Sequence, residues 1–224
     1  MASLAGVWLV ACASPPPPPK AAPPEIAPRP PERPPVVEGE IGGLPEEAMG
    51  RALDALGKDV VGCVTKRAGE LEVLGGHLKL KLRVARDGST RWAYLSESTL
   101  GDRDTERCVV ELATARSWPK PVGGEGLAEK AFDVDPPKPP ATIEEKRVKR
   151  ALDDARREAA RCKKGARGTF LATAYLKPNG RVVAAGVAVP SDGHEGTADC
   201  IVEAVKKLEF GKVGGKVSKL TFEI

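Results

Sequence analysis

The sequence predicts an α+β protein built of two tandem small modules, each ordered helix, strand, strand, helix, strand around a three-stranded antiparallel sheet. Three observations carry that expectation. Residues recur in register: Leu53 and Cys63 return 99 positions on as Leu152 and Cys162, and Gly88, Cys108 and Trp118 return 92 positions on as Gly180, Cys200 and Phe210. One seven-residue deletion in the second copy reconciles the two offsets, and a register shared by two cysteines, a turn and an aromatic marks an internal repeat. His77 to Val84 alternates Leu78, Leu80, Leu82 and Val84 with His77, Lys79, Lys81 and Arg83, the period of a half-buried strand. Leu53, Leu56, Val60 and Cys63 fall at helical spacing, as do Val148, Leu152, Ala155, Ala159 and Cys162.

Residues 1–12, MASLAGVWLVAC, form a short apolar run that ends in Leu9-Val10-Ala11-Cys12 and resembles a bacterial lipobox. Small Ala11 suits a signal peptidase, and the Cys12 thiol is the expected site of lipidation. The run is far below the roughly 20 residues that a membrane span requires. Residues 13–43 are a low-complexity tether with an unbroken run from Pro15 to Pro19. Proline's fixed φ and missing N–H favour an extended polyproline II spacer with a reach of roughly 60 to 90 Å.

The first module spans 44–135. Pro45, Glu46 and Glu47 open a helix that buries Cys63. The alternating strand from His77 to Val84 is followed by Asp87-Gly88, a tight-turn signal, and by a return strand over Thr90 to Ser98. A second helix over Thr105 to Arg116 is expected to turn Cys108, Leu112 and Ala115 inward and to stop at Trp118-Pro119-Lys120-Pro121. Ala131, Phe132 and Val134 supply a short third strand. A proline hinge covers 136–141. The second module, 142–224, repeats the order: a helix to Cys162, strands over Thr169 to Leu176 and Arg181 to Val189 about Asn179-Gly180, and a helix N-capped by Thr197 that carries Cys200, Ala204, Val205 and Leu208. Lys219 to Ile224 closes it.

Function classes narrow by exclusion. His77 and His194 are the only histidines, and no Cys or His spacing matches a zinc site, a nucleophile elbow or a phosphate loop. Neither an enzyme nor a cofactor is expected. Charge divides unevenly: residues 41–135 carry 14 Lys and Arg against 16 Asp and Glu, and residues 136–224 carry 18 against 11. Lys149, Arg156 and Arg157 on the third helix are therefore candidate contacts for anionic lipid or cell-wall polymer, the alternative being a solvated helix face. Export argues against nucleic acid. If Ala93 and Leu95 point inward, Trp92 and Tyr94 stand outward beside Lys79, Lys81 and Arg83 as a contact site; a β-bulge would instead make both aromatics core.

The order of elements, with Gly180-Arg181-Val182-Val183-Ala184-Ala185-Gly186-Val187, resembles the TonB C-terminal domain. The cysteine pair, Ser98-Thr99-Leu100-Gly101-Asp102 and Trp118-Pro119-Lys120-Pro121-Val122-Gly123-Gly124 bring it closer to the TonB-like C-terminal domain of myxobacterial AgmX/PglI-type gliding proteins. That resemblance implies a binding or scaffold role among envelope proteins, with partners held by sheet-edge pairing. The lipobox implies an envelope protein anchored by lipid and facing the periplasm, at the outer membrane. Cysteines at matching places on two helices that pack on one side of a sheet predict Cys63–Cys108 and Cys162–Cys200 bridges, formed in an oxidising compartment. Five cysteines leave Cys12 over, as lipidation requires.

Overall fold

A computed structural model describes residues 41–224. Cys12, the expected lipobox and the expected tether up to residue 40 lie outside the described residues. Helix α1 (Glu46–Ala68) follows Pro45, with Glu46 and Glu47 in its first turn and Lys66 and Arg67 in its last, matching the helix dipole at both ends. It buries Met49, Leu53, Leu56, Val60 and Cys63, the stripe that the spacing predicts plus one residue. Strand β1 (Gly76–Val84) turns Leu78, Leu80, Leu82 and Val84 wholly out of solvent against α1 and α2 (Arg103–Ala115). Strand β2 (Thr90–Ser98) pairs antiparallel with one edge of β1, and β3 (Gly126–Val134) with the other. The first sheet therefore runs β2-β1-β3.

The second half carries β4 (Ala141–Thr142), α3 (Glu145–Lys163), β5 (Leu171–Leu176), β6 (Val182–Ala188), α4 (Glu195–Lys206) and β7 (Ser218–Glu223). Its sheet has four strands in the order β4-β7-β5-β6, not the expected three. The added strand comes from the proline segment: Ala141 and Thr142 run parallel to Ser218 and Lys219 of β7, and Lys138 N–H donates to Glu72 O at 2.9 Å. The whole is a mixed α+β structure with four helices and two sheets among the described residues.

The turn glycines explain part of the repeated register. Gly88 has φ 90° and Gly180 φ 87°, a left-handed backbone that glycine adopts without strain. In each half the turn carbonyl then accepts a hydrogen bond from the backbone of the aromatic thirty residues on: Trp118 N–H to Gly88 O at 2.8 Å, and Phe210 N–H to Gly180 O at 3.0 Å. The approach is close enough that a Cβ on Gly88 would lie 2.5 Å from Trp118 O. Both aromatics are buried, and Trp118 Nε1 donates to Thr90 Oγ1 at 2.9 Å.

Two helices present faces other than those expected. Helix α2 buries Glu106, Val109, Val110 and Ala113, leaving Cys108 and Leu112 half-buried and Ala115 exposed. Helix α4 buries Ala198, Ile201, Val202 and Val205, with Cys200 exposed. Nor does Thr197 cap α4, which starts two residues earlier, after His194.

The described residues, 41–224, all belong to one unit. The second sheet packs α3 and α4 on one face, where Ala172, Ala174 and Leu176 are buried, and the first half on the other, where Thr173 and Tyr175 are buried. The Tyr175 hydroxyl donates to Gly75 O at 2.9 Å and accepts from Gly75 N–H at 3.1 Å. Edge strands β2 and β6 face each other, with Val189 N–H donating to Leu95 O at 3.0 Å.

Candidate binding site on the first sheet

The alternation of β1 that buries its leucines sets His77, Lys79, Lys81 and Arg83 on the face away from the helices. Register brings partners from both neighbours: Lys81 lies opposite Tyr94 and Glu129, and Arg83 opposite Trp92 and Leu127. His77 Nδ1 is 2.9 Å from Asp133 Oδ1, Lys79 Nζ is 3.4 Å from Glu129 and 3.5 Å from Glu97, and Arg83 pairs with Glu125. Glu129 first, then Glu97, holds the Lys79 ammonium above the ordinary lysine value. Of the β1 cations Lys79, Lys81 and Arg83, Lys81 alone has no ion-pair partner among the described residues. A groove of about 500 Å³ runs between Lys81, Arg83, Trp92, Tyr94 and Leu127.

Five candidate residues thus share one face, but the two aromatics do not stand free on it. Their rings are 5.5 Å apart and tilted by 45°. Tyr94 is 9% exposed and belongs to the apolar cluster of the second half, against which Trp92 also packs. Burial, then nearby Asp192, raises the Tyr94 phenol above its ordinary value. The outward register holds despite shifts between Lys79 and Leu80 and between Arg83 and Val84. What covers Tyr94 is the docked second half, a contact that the pattern within the first half does not encode. The pair is a wall of the groove and a seam between halves, not an exposed patch.

The basic residues of α3 lie elsewhere. Lys149 and Arg157 line a shallow hollow with Asp153 and Asp154, and Arg157 pairs with Asp154. Arg156 lies 3.7 Å from Asp153 and donates to Glu223 O at 3.2 Å. Arg156, Arg157 and Arg161 have carboxylate partners on the helix itself, but such exposed pairs hold weakly, and Lys149 has none among the described residues.

The first sheet also offers an edge. Thr99 N–H donates to His77 O, so the peptide groups of His77 face β2, and His77 and Asp133 form a non-hydrogen-bonded pair between β1 and β3. Antiparallel pairing alternates every residue, so the N–H and C=O groups of Leu127, Glu129, Ala131 and Asp133 all turn away from the sheet. Glu125 fits the same phase: its outward carbonyl accepts from Gly42 N–H at 2.8 Å. Beyond Gly126 these outward groups have no backbone partner among the described residues.

Both disulfides join helix pairs: Cys63–Cys108 ties α1 to α2 with Cα atoms 6.0 Å apart, and Cys162–Cys200 ties α3 to α4 at 5.6 Å. They sit at the rim of each pair, which is why Cys200 is exposed. Sequence reasoning missed the polar contact between halves. Glu106 of α2 is fully buried, with Oε1 accepting from Ser98 Oγ at 2.6 Å and Oε2 accepting from Val187 N–H of β6 at 2.9 Å. Arg103, 5% exposed, pairs with Glu195 and lies 2.7 Å from Asp199 of α4. Burial acts to raise the Asp199 carboxyl, but Arg103 and Arg107 overcome it and hold it below its ordinary value. The legible signal was Gly186, a glycine inside a strand, where another group approaches closely. A Cβ there would lie 2.2 Å from Glu106 Oε1.

Among the described residues no group of three His, Cys, Asp or Glu could hold a metal ion, and no helix is long and apolar enough to cross a membrane. Compared with protein families, curated proteins and solved structures, the chain matches none.

Proposed function

We propose that this chain is a lipid-anchored binding or scaffold protein of the cell envelope, held through Cys12. On this reading α1 to β3 and α3 to β7 are two copies of a TonB C-terminal-like module, and an extended segment of another envelope protein adds to the outer edge of β3. The observation that carries the proposal is the run of outward peptide groups on β3, from Leu127 to Asp133. An unpaired edge is a template for a further strand, and main-chain hydrogen bonds supply affinity without any dedicated chemistry. The other long edges are less available: β2 and β6 face each other, and β4 covers the start of β7.

Ala131 gives a clean test, because its N–H faces outward and its loss leaves the β1–β3 ladder intact. Immobilised full chain and its Ala131→Pro variant should melt within a few degrees of each other. The variant should lose most of the envelope protein that the native chain retains. Equal retention by a folded variant would sink the edge reading.

A further inference from the structure

We infer that β3 selects its partner by charge: the edge takes an extended segment whose sheet-face side chains alternate apolar and basic, so that a basic residue recurs at every fourth position. This inference rests on the edge reading above and names the chemistry of the strand that would fit there. The four residues with outward peptide groups also place their side chains on one face, in the order Leu127, Glu129, Ala131, Asp133. Leu127 is 48% exposed, and the carboxylate side chains of Glu129 and Asp133 are 56% and 83% exposed. The row reads apolar, acidic, apolar, acidic.

A strand added beside β3 meets that row first. Directly opposite side chains in adjacent strands lie about 5 Å apart at Cβ, and unlike charges there attract while like charges repel. The cations Lys79, Lys81 and Arg83 stand on β1, one strand further in, so they act on the newcomer from roughly twice the distance. Their existing pairs do not silence the carboxylates. Lys79 is shared between Glu129 and Glu97, and His77 faces an Asp133 that is mostly in solvent. Exposed pairs of this kind hold weakly. Leu127 and Ala131 leave apolar area between the two charges, which an aliphatic side chain would cover.

The test uses the full chain and two nine-residue peptides of one β-branched frame, carrying either arginine or glutamate at the third and seventh positions, titrated by fluorescence anisotropy. Two directly opposed pairs predict that the arginine peptide binds about tenfold more tightly at low salt. The difference should shrink toward unity at high salt as charges are screened. In a Glu129→Lys, Asp133→Lys variant the preference should reverse, and Ala131→Pro should weaken both peptides. Equal affinity for the two peptides, with both weakened by Ala131→Pro, would overturn charge selection and leave the edge reading standing. No binding of either peptide, or binding that Ala131→Pro does not touch in a folded variant, would overturn both. The two lysine substitutions lie on an exposed strand face and keep the preference testable even if the proline variant fails to fold.

Discussion

Glu106 shows most sharply how one residue couples the two halves. Its carboxyl is buried to 0% exposure and takes hydrogen bonds from Ser98 of its own half and from Val187 of the other. Burial pushes its pKa up, and the hydrogen bonds from Ser98 and Val187, with nearby Arg103, offset this only in part. A carboxyl whose pKa is raised on folding binds its proton more tightly in the native state. The contribution of Glu106 to stability is then fully present below the ordinary carboxylate value of 4.5 and is lost as pH climbs through the raised one. Glu106→Gln can accept from Val187 N–H and donate to Ser98 Oγ without carrying charge. Urea denaturation at pH 5 and pH 8 should show the native chain losing more stability over that interval than the variant. Equal losses would remove Glu106 as the source. Tyr175, whose phenol burial pushes up to about 12, stays a neutral donor to Gly75 throughout that range.

At the scale of elements, legibility followed the purity of the pattern. Helices α1 and α3 carry uninterrupted apolar stripes; the buried face of α3 matches the spacing residue for residue, and that of α1 adds only Met49. Helix α2 offers two competing stripes. The one through Cys108, Leu112 and Ala115 looks more apolar than the one through Thr105, Glu106, Val109 and Ala113, because it avoids a charged residue. Tertiary contact decided otherwise: Glu106 is inside because β6 of the other half supplies an N–H to satisfy it. The proline segment hid β4 for a related reason, since only two residues of it pair and the pairing is with a strand over seventy residues away. The disulfides were readable because chain position alone placed each cysteine on a helix of a packed pair. They close separations of 45 and 38 residues, for which chain entropy predicts about 4 kcal/mol each. Paired Ser substitutions in either bridge should lower unfolding free energy by about that amount in urea titrations. A change below about 1 kcal/mol would show that the unfolded chain is not the state the bridges constrain.

The whole molecule is where reading each half alone fell short. Tyr94 lies in the second half's apolar cluster, and Tyr175 and Ala184 lie in the first half's, so each half completes the core of the other. None of these exchanges has a periodic signature, and the pattern within one half carries no information about how it docks on the other. Shared cores and the Arg103 pairs with Glu195 and Asp199 predict one cooperative melting transition in calorimetry, with equal calorimetric and van't Hoff enthalpies. Two resolved transitions would mean that the halves unfold independently. Docking also shapes the candidate site, because turning β2 and β6 toward each other leaves β3 as the long open edge among the described residues. Amide hydrogen exchange on the full chain tests that edge most directly. In the free protein the amides of Leu127, Glu129, Ala131 and Asp133 should exchange rapidly, while those of Ala128, Lys130 and Phe132, bonded to β1, are protected. With the tighter-binding peptide at saturation, the four outward amides should become protected together. If they stay in fast exchange while the peptide is bound, the partner sits elsewhere and the strand-addition account is wrong.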